Sequence, residues 1–137
     1  MAITIRRVSY YYTSVGDEPG VGYQLLSHLA EQGINLLAFT GVPTGPARVQ
    51  LTLFPEDARM LEFVAGRAGL ELEGPHDAFL VLGDDELGVI ASIHEKLYQA
   101  DVNVYASSGV ADGAGRFGYV IYVKPEDLDR AAAALEI

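Results

Sequence analysis

Two short stretches carry the residue types best suited to holding a small charged molecule. In the first, Asp17, Glu18, Pro19, Gly20 and Val21 stand before an amphipathic run that ends at Gly33, Ile34 and Asn35. In the second, Asp85, Glu86, Gly88 and Val89 stand in the same relation to Asn103, and Gly20 and Gly88 are 68 residues apart. A helix that opens at a glycine presents backbone N–H groups without intrahelical partners, together with the positive end of its dipole; both favour a carboxylate. The glycine also lets a ligand approach the backbone. The carboxylates of Asp17 and Glu18 suit an ammonium group, so the loop offers a partner to each charge of a zwitterion. Asn35, with a donor and an acceptor, and Leu36 beside it stand where the following strand can close such a site. A purely structural role fits the same residues: Asp17 as a helix cap, Gly20 as a tight entry, Asn35 bonded to nearby backbone after the Gly33 turn. Residue types alone leave both roles open.

The elements that must position these residues recur with the same offset. Asp17, Gly20, Val21, Leu29 and Asn35 fall on Asp85, Gly88, Val89, Leu97 and Asn103, so two copies of one unit fill the 137 residues. From Gly20 to Gln32, Val21, Leu25, Leu26 and Leu29 keep to one side of a helix, and Gln24, Ser27, His28 and Glu31 keep to the other. Gly33 is placed for the left-handed residue after a helix end, with Asp101 as its poorer counterpart. Ile3 to Ser14 reads as a strand broken near Arg6 and Arg7, with Tyr10 and Tyr12 on one face and Tyr11 on the other. Asn35 to Val42 and Arg48 to Phe54 read as an antiparallel pair, repeated by Asn103 to Val110 and Phe117 to Lys124. In the first pair Val49, Leu51 and Leu53 alternate with Gln50 and Thr52, which predicts one buried and one partly polar face. Pro55 and Pro125 each introduce a further helix, Glu56 to Ala68 and Glu126 to Leu135. Glu71 to Glu73 is a short strand and Gly74–Pro75 a linker.

The fold class that follows is α+β: two ferredoxin-like βαββαβ units with antiparallel sheets and helices on one face. The boundaries are 1–74 and 75–137. The second unit lacks its final strand, and Ile3 to Arg7 is expected to supply it, since an uncovered edge must be protected.

A net charge of −10 and a pI near 4.5 argue against a nucleic-acid partner, whose affinity rests on clustered Lys and Arg. The absence of cysteine excludes disulfides and thiolate metal sites. The N-terminal residues have neither a signal peptide nor a membrane span, so a cytoplasmic location and no membrane partner are expected.

The run Asp17, Glu18, Pro19, Gly20, Val21, then Leu26, Leu29, Gly33, Ile34 and Asn35, resembles the ACT domain, the small regulatory module of aspartokinase, phosphoglycerate dehydrogenase and related amino-acid enzymes. The second copy departs from the pattern at Leu87, Asp101 and Val102. The resemblance covers nearly the entire chain and implies a free-standing tandem pair that binds an amino acid or similar metabolite where two such modules meet. It also implies a homo-oligomer, a dimer, and a metabolic enzyme regulated in trans. No cofactor, metal or catalytic residue is expected, because no nucleophile elbow is present and His28, His76 and His94 lack metal-ligand spacing. Two other readings remain: a structural or protein-binding module that has lost its ligand, and a small enzyme on the same fold.

Overall fold

The computed structural model describes residues 2–137. Its elements, in chain order, are strand β1 (Ile3–Gly16), helix α1 (Val21–Glu31), strands β2 (Leu36–Pro43) and β3 (Arg48–Pro55), helix α2 (Ala58–Ala68), strand β4 (Glu73–Asp84), helix α3 (Val89–Gln99), strands β5 (Ala106–Ala111) and β6 (Arg116–Tyr122), a 3-10 turn (Pro125–Asp127) and helix α4 (Leu128–Ala134). The chain divides into two compact units, one of Ser9–His76 and one of Met1–Val8 with Asp77–Ile137. Strands β1 and β4 each run through both.

In the unit Ser9–His76 the strand order is β2-β3-β1-β4, and the pairing of β3 with both β1 and β2 is antiparallel. Tyr11 faces Leu53 across the β1–β3 ladder, and Gly16 faces Arg48. The core lies between the sheet and its two helices: Tyr11, Leu29, Ile34, Leu51, Leu53, Leu61 and Val64 form one buried cluster. Tyr11 points into it, and Tyr10 and Tyr12 meet on the other face with ring centroids 5.3 Å apart, as strand alternation requires. That other face is less polar than the alternation of β3 predicts. Thr52 and Phe54 are both buried, and Phe54 packs against Tyr10 at 5.1 Å.

In the other unit the order is β1-β4-β6-β5. Phe79, Val81, Ile93, Leu97, Ile121 and Ala131 are at the centre of its core, and Ile3 and Ile5 pack against that core. The Asp84 amide donates to the Ala2 carbonyl at 3.1 Å, and the Ala2 nitrogen donates to Asp84 Oδ2 at the same distance. Arg6 and Arg7 do not break β1. Arg7 reaches Asp77 at 3.2 Å and Asp129 at 3.3 Å, so its charge is satisfied without leaving the strand.

Several local expectations give way to specific interactions. Gly74 and Pro75 lie inside β4 instead of in a linker. Helix α2 starts three residues after β3 ends at Pro55; its cap is Asp57, whose side chain accepts from the Met60 amide at 3.2 Å. Strand β5 begins at Ala106, three residues later than its apolar pattern suggests, because Val102 and Val104 turn inward to the core. Among the described residues no helix is long and apolar enough to cross a membrane.

One buried polar contact has a measurable consequence. The Tyr11 hydroxyl donates to the Glu62 carboxylate, and burial first, then that bond and charge, push the phenol well above its ordinary value of 10.0. A phenol whose folded value is raised stabilises the fold fully below pH 10.0 and loses that contribution as pH rises through the folded value. Tyr11→Phe is therefore expected to cost about 1 kcal/mol at neutral pH. It should also flatten the fall in stability above about pH 10. Urea unfolding at neutral and alkaline pH checks both; parallel wild-type and variant curves would refute the alkaline part.

Candidate ligand site at two helix starts

The two candidate loops are built by the same local interactions. Each leaves a strand, β1 or β4, beside the hairpin that joins the next two strands. Asp17 N donates to Ala47 O at 2.9 Å, and Asp85 N donates to Gly115 O at 2.9 Å. The chain then turns through Gly20 at φ 89° and Gly88 at φ 84°, left-handed values that an L side chain adopts only with strain. Val21 N bonds Glu18 O at 3.4 Å and Val89 N bonds Glu86 O at 3.1 Å; the first full helical bonds are Gln24 to Gly20 and Ser92 to Gly88, both 2.9 Å. The helix axes then bury Leu29 in one copy and Val89, Ile93 and Leu97 in the other.

What matters chemically is what this arrangement leaves open. Neither Gly20 nor Gly88 is replaced by a capping side chain, so Asp17 and Asp85 do not cap their helices. The amides of residues 22 and 23, and of 90 and 91, lie between the Val21 or Val89 bond and the first full helical bond and stay at the helix mouth. A Cβ built on Gly20 or on Gly88 would meet nothing within 4 Å, so the approach is clear. Asp17, Glu18, Pro19, Asp85, Glu86 and Leu87 are all exposed, and none of the ion pairs among the described residues uses these carboxylates. Residues 85–91 line a concavity of about 470 Å³ that includes the Gly88 turn and both acidic residues of that copy. A clear helix mouth flanked by two exposed carboxylates can take a carboxylate at the amides and an ammonium at the side chains.

Not every candidate residue comes to this place. Asn35 precedes β2, beyond the far end of α1, so an 11-residue helix of about 16 Å separates it from Gly20. There its side chain donates to Glu56 Oε2 at 3.1 Å, and its carbonyl accepts from the Glu56 amide at 2.8 Å. Leu36 is half-buried against the core of its unit. Asn103 occupies the corresponding position after α3 and is exposed. Gly33 at φ 79° and Asp101 at φ 59° end the two helices in the same left-handed turn.

Sequence reasoning missed a set of polar residues on β1 and β3. Tyr12, Ser14, Arg48 and Gln50 share the face turned away from the helices and line a separate concavity. Their even spacing on two strands was the available signal, but it acquires meaning only once Ser14 is known to pair with Gln50.

No protein-family model matches the sequence, and no curated protein matches it. Solved structures do. A protein from Bacteroides thetaiotaomicron matches with a TM-score of 0.81 at 14% identity, over 96% of this chain and 88% of that one. The regulatory subunit of aspartate kinase from Thermus flavus matches at 0.60 and 19% identity, over 99% of this chain and 95% of its own. The ligand-free regulatory subunit of aspartate kinase from Thermus thermophilus gives 0.62 and 19%, with 98% and 94% covered. At such identities the likeness is one of backbone. Nearly the whole path of the chain is thus shared with these structures, and what they have in common with it is an α+β fold of two ferredoxin-like units.

Proposed function

We propose that this protein is a non-catalytic sensor that binds an amino acid or a similar small zwitterion at its glycine-opened helix starts. The observation that carries this reading is the duplication of one unplugged geometry. Gly20 and Gly88 hold the same left-handed turn, without a side-chain cap and with open space where a Cβ would stand. The ligand carboxylate takes the first-turn amides, and Asp17 with Glu18, or Asp85 with Glu86, takes the ammonium. Because α1 holds Asn35 away from its own loop, Asn35 and Asn103 serve a loop presented by another copy of the chain, and the working form is a homodimer. Regulation of a metabolic enzyme in trans, in the cytoplasm, fits a chain of this fold; two of the structures it matches are regulatory subunits of aspartate kinase.

Thermal denaturation in the presence of each proteinogenic amino acid tests the reading. A ligand selective for the native state raises stability by about 2.7 kcal/mol at a hundredfold excess over its Kd. At least one amino acid is expected to raise Tm in the millimolar range. Gly20→Asn with Gly88→Asn should erase that shift, since asparagine tolerates a left-handed backbone and puts a side chain into the approach. No shift with any amino acid, or an undiminished shift in the double variant, removes the proposal.

A further inference from the structure

The unit Ser9–His76 has a concavity of about 520 Å³ on the sheet face opposite its helices, closed on the far side of β1 by residues 69–73. No residue of the 17–21 loop lines it. Its aromatic wall is fixed by packing, because Tyr12 meets Tyr10 edge-on at 5.3 Å and lies 5.4 Å from His76. Arg48 is held over β1 by Ser14, whose hydroxyl accepts from Nε at 3.2 Å and from Nη2 at 3.0 Å. Across the same strand, Thr13 Oγ1 donates to the Glu71 carbonyl at 2.9 Å and draws the 69–73 segment against β1. Glu71 and Glu73 thereby line the side opposite Arg48.

The internal repeat supplies a comparison. The residue that corresponds to Arg48 in the other copy is Arg116, which donates to Asp84 at 3.0 Å. Where Asp84 stands in that copy, the Ser9–His76 unit has Gly16. Arg48 therefore lacks the carboxylate that neutralises its counterpart, and among the described residues it makes no ion pair. A guanidinium has five donors, and two are committed to one hydroxyl.

We propose that this concavity is a second small-molecule site, for an α-amino acid with a bulky apolar side chain. Arg48 takes the carboxylate, the Glu71 and Glu73 edge takes the ammonium, and the Tyr12 ring receives the apolar group. Its volume lies within the usual range for a small-molecule pocket. The site exists in one copy only, because Asp84 fills its role in the other.

Amide NMR of the isotopically labelled full chain, titrated with L-phenylalanine, 3-phenylpropionate and phenethylamine, tests this. L-phenylalanine is expected to perturb Tyr12, Ser14 and Gln50, with each single-charge analogue bound at least about tenfold more weakly. Arg48→Gln removes the carboxylate partner. Gly16→Asp supplies an internal one, in a position where a Cβ meets nothing nearer than Glu18 Cδ at 4.0 Å. Each variant should weaken L-phenylalanine about tenfold or more, and the two reach that result by opposite chemistry, so the test survives if one fails to fold. Perturbations that are absent or confined to 17–21 and 85–89, affinity unchanged in either folded variant, or 3-phenylpropionate bound as tightly as L-phenylalanine would each overturn the assignment. Shifts at the helix starts report separately on the sensor reading.

Discussion

Gly83→Val is expected to cost about 3 kcal/mol, the upper end of what overpacking does, because its side chain would meet backbone. An ideal Cβ at Gly83 would lie 2.3 Å from Ile3 Cγ2, 2.7 Å from Ala2 O and 2.8 Å from Ile3 Cα. Two of those neighbours are backbone atoms, so a rotamer change cannot relieve the clash and β1 must retreat from β4. Retreat breaks the Asp84 to Ala2 amide bond and withdraws Ile3 and Ile5 from the core. It also breaks the Ala2 N to Asp84 bond, which is the first cause holding that carboxyl below its ordinary 3.8, with Arg116 adding to it. Gly66→Ala is the matched control. A Cβ there meets nothing within 4 Å, and alanine in the interior of α2 should stabilise by about 1 kcal/mol. Urea unfolding of the two variants should move the midpoint in opposite directions; a Gly83→Val midpoint at or above wild type would show that β1 does not bear on β4 here.

Phe79→Ala should cost about 3–5 kcal/mol. Phe79 is completely buried, faces Ile121 across the β4–β6 ladder, and belongs to the cluster that α3 and α4 cover. Truncation removes its apolar burial and leaves a space that rigid strand neighbours cannot fill. Phe63→Ala, by contrast, touches a ring that is 63% exposed and in contact with Arg67, so less than about 1 kcal/mol is expected. Similar losses in the two variants, measured by chemical denaturation, would mean that the buried cluster is loose enough to collapse around the missing ring.

The repeat, the two helix starts and the two left-handed helix ends were legible because each depends on nearby residues alone. Gly20, Gly33 and Leu29 declare a helix opening, a helix end and a buried face without reference to distant chain. The course of β4 was not legible in that way. Gly74 and Pro75 carry a loop composition, and only their place beside Tyr10 and Tyr11 shows them to be strand; a Cβ on Gly74 would stand 2.9 Å from Tyr10 O. The burial of Thr52 was equally hidden, since a period of two names the opposite faces but does not say that aromatic rings cover both. Within the candidate site, sequence identified the loops correctly as helix mouths but not the distance to Asn35, which follows from the length and direction of α1. Arg48 escaped notice because its significance depends on the glycine standing opposite it.

The placement of Val8 and the residues before it with Asp77–Ile137 bears on how the chain matures during translation. Once His76 has left the ribosome, all the residues of the Ser9–His76 unit have been synthesised. The residues before Ser9 cluster with chain that is made only after His76. Joining segments so far apart in the chain carries a loop-closure entropy that grows with the logarithm of the intervening length. The amino-terminal strand is thus made first and seated late, and a bulky fusion placed immediately before Ala2 would burden assembly of the unit encoded last.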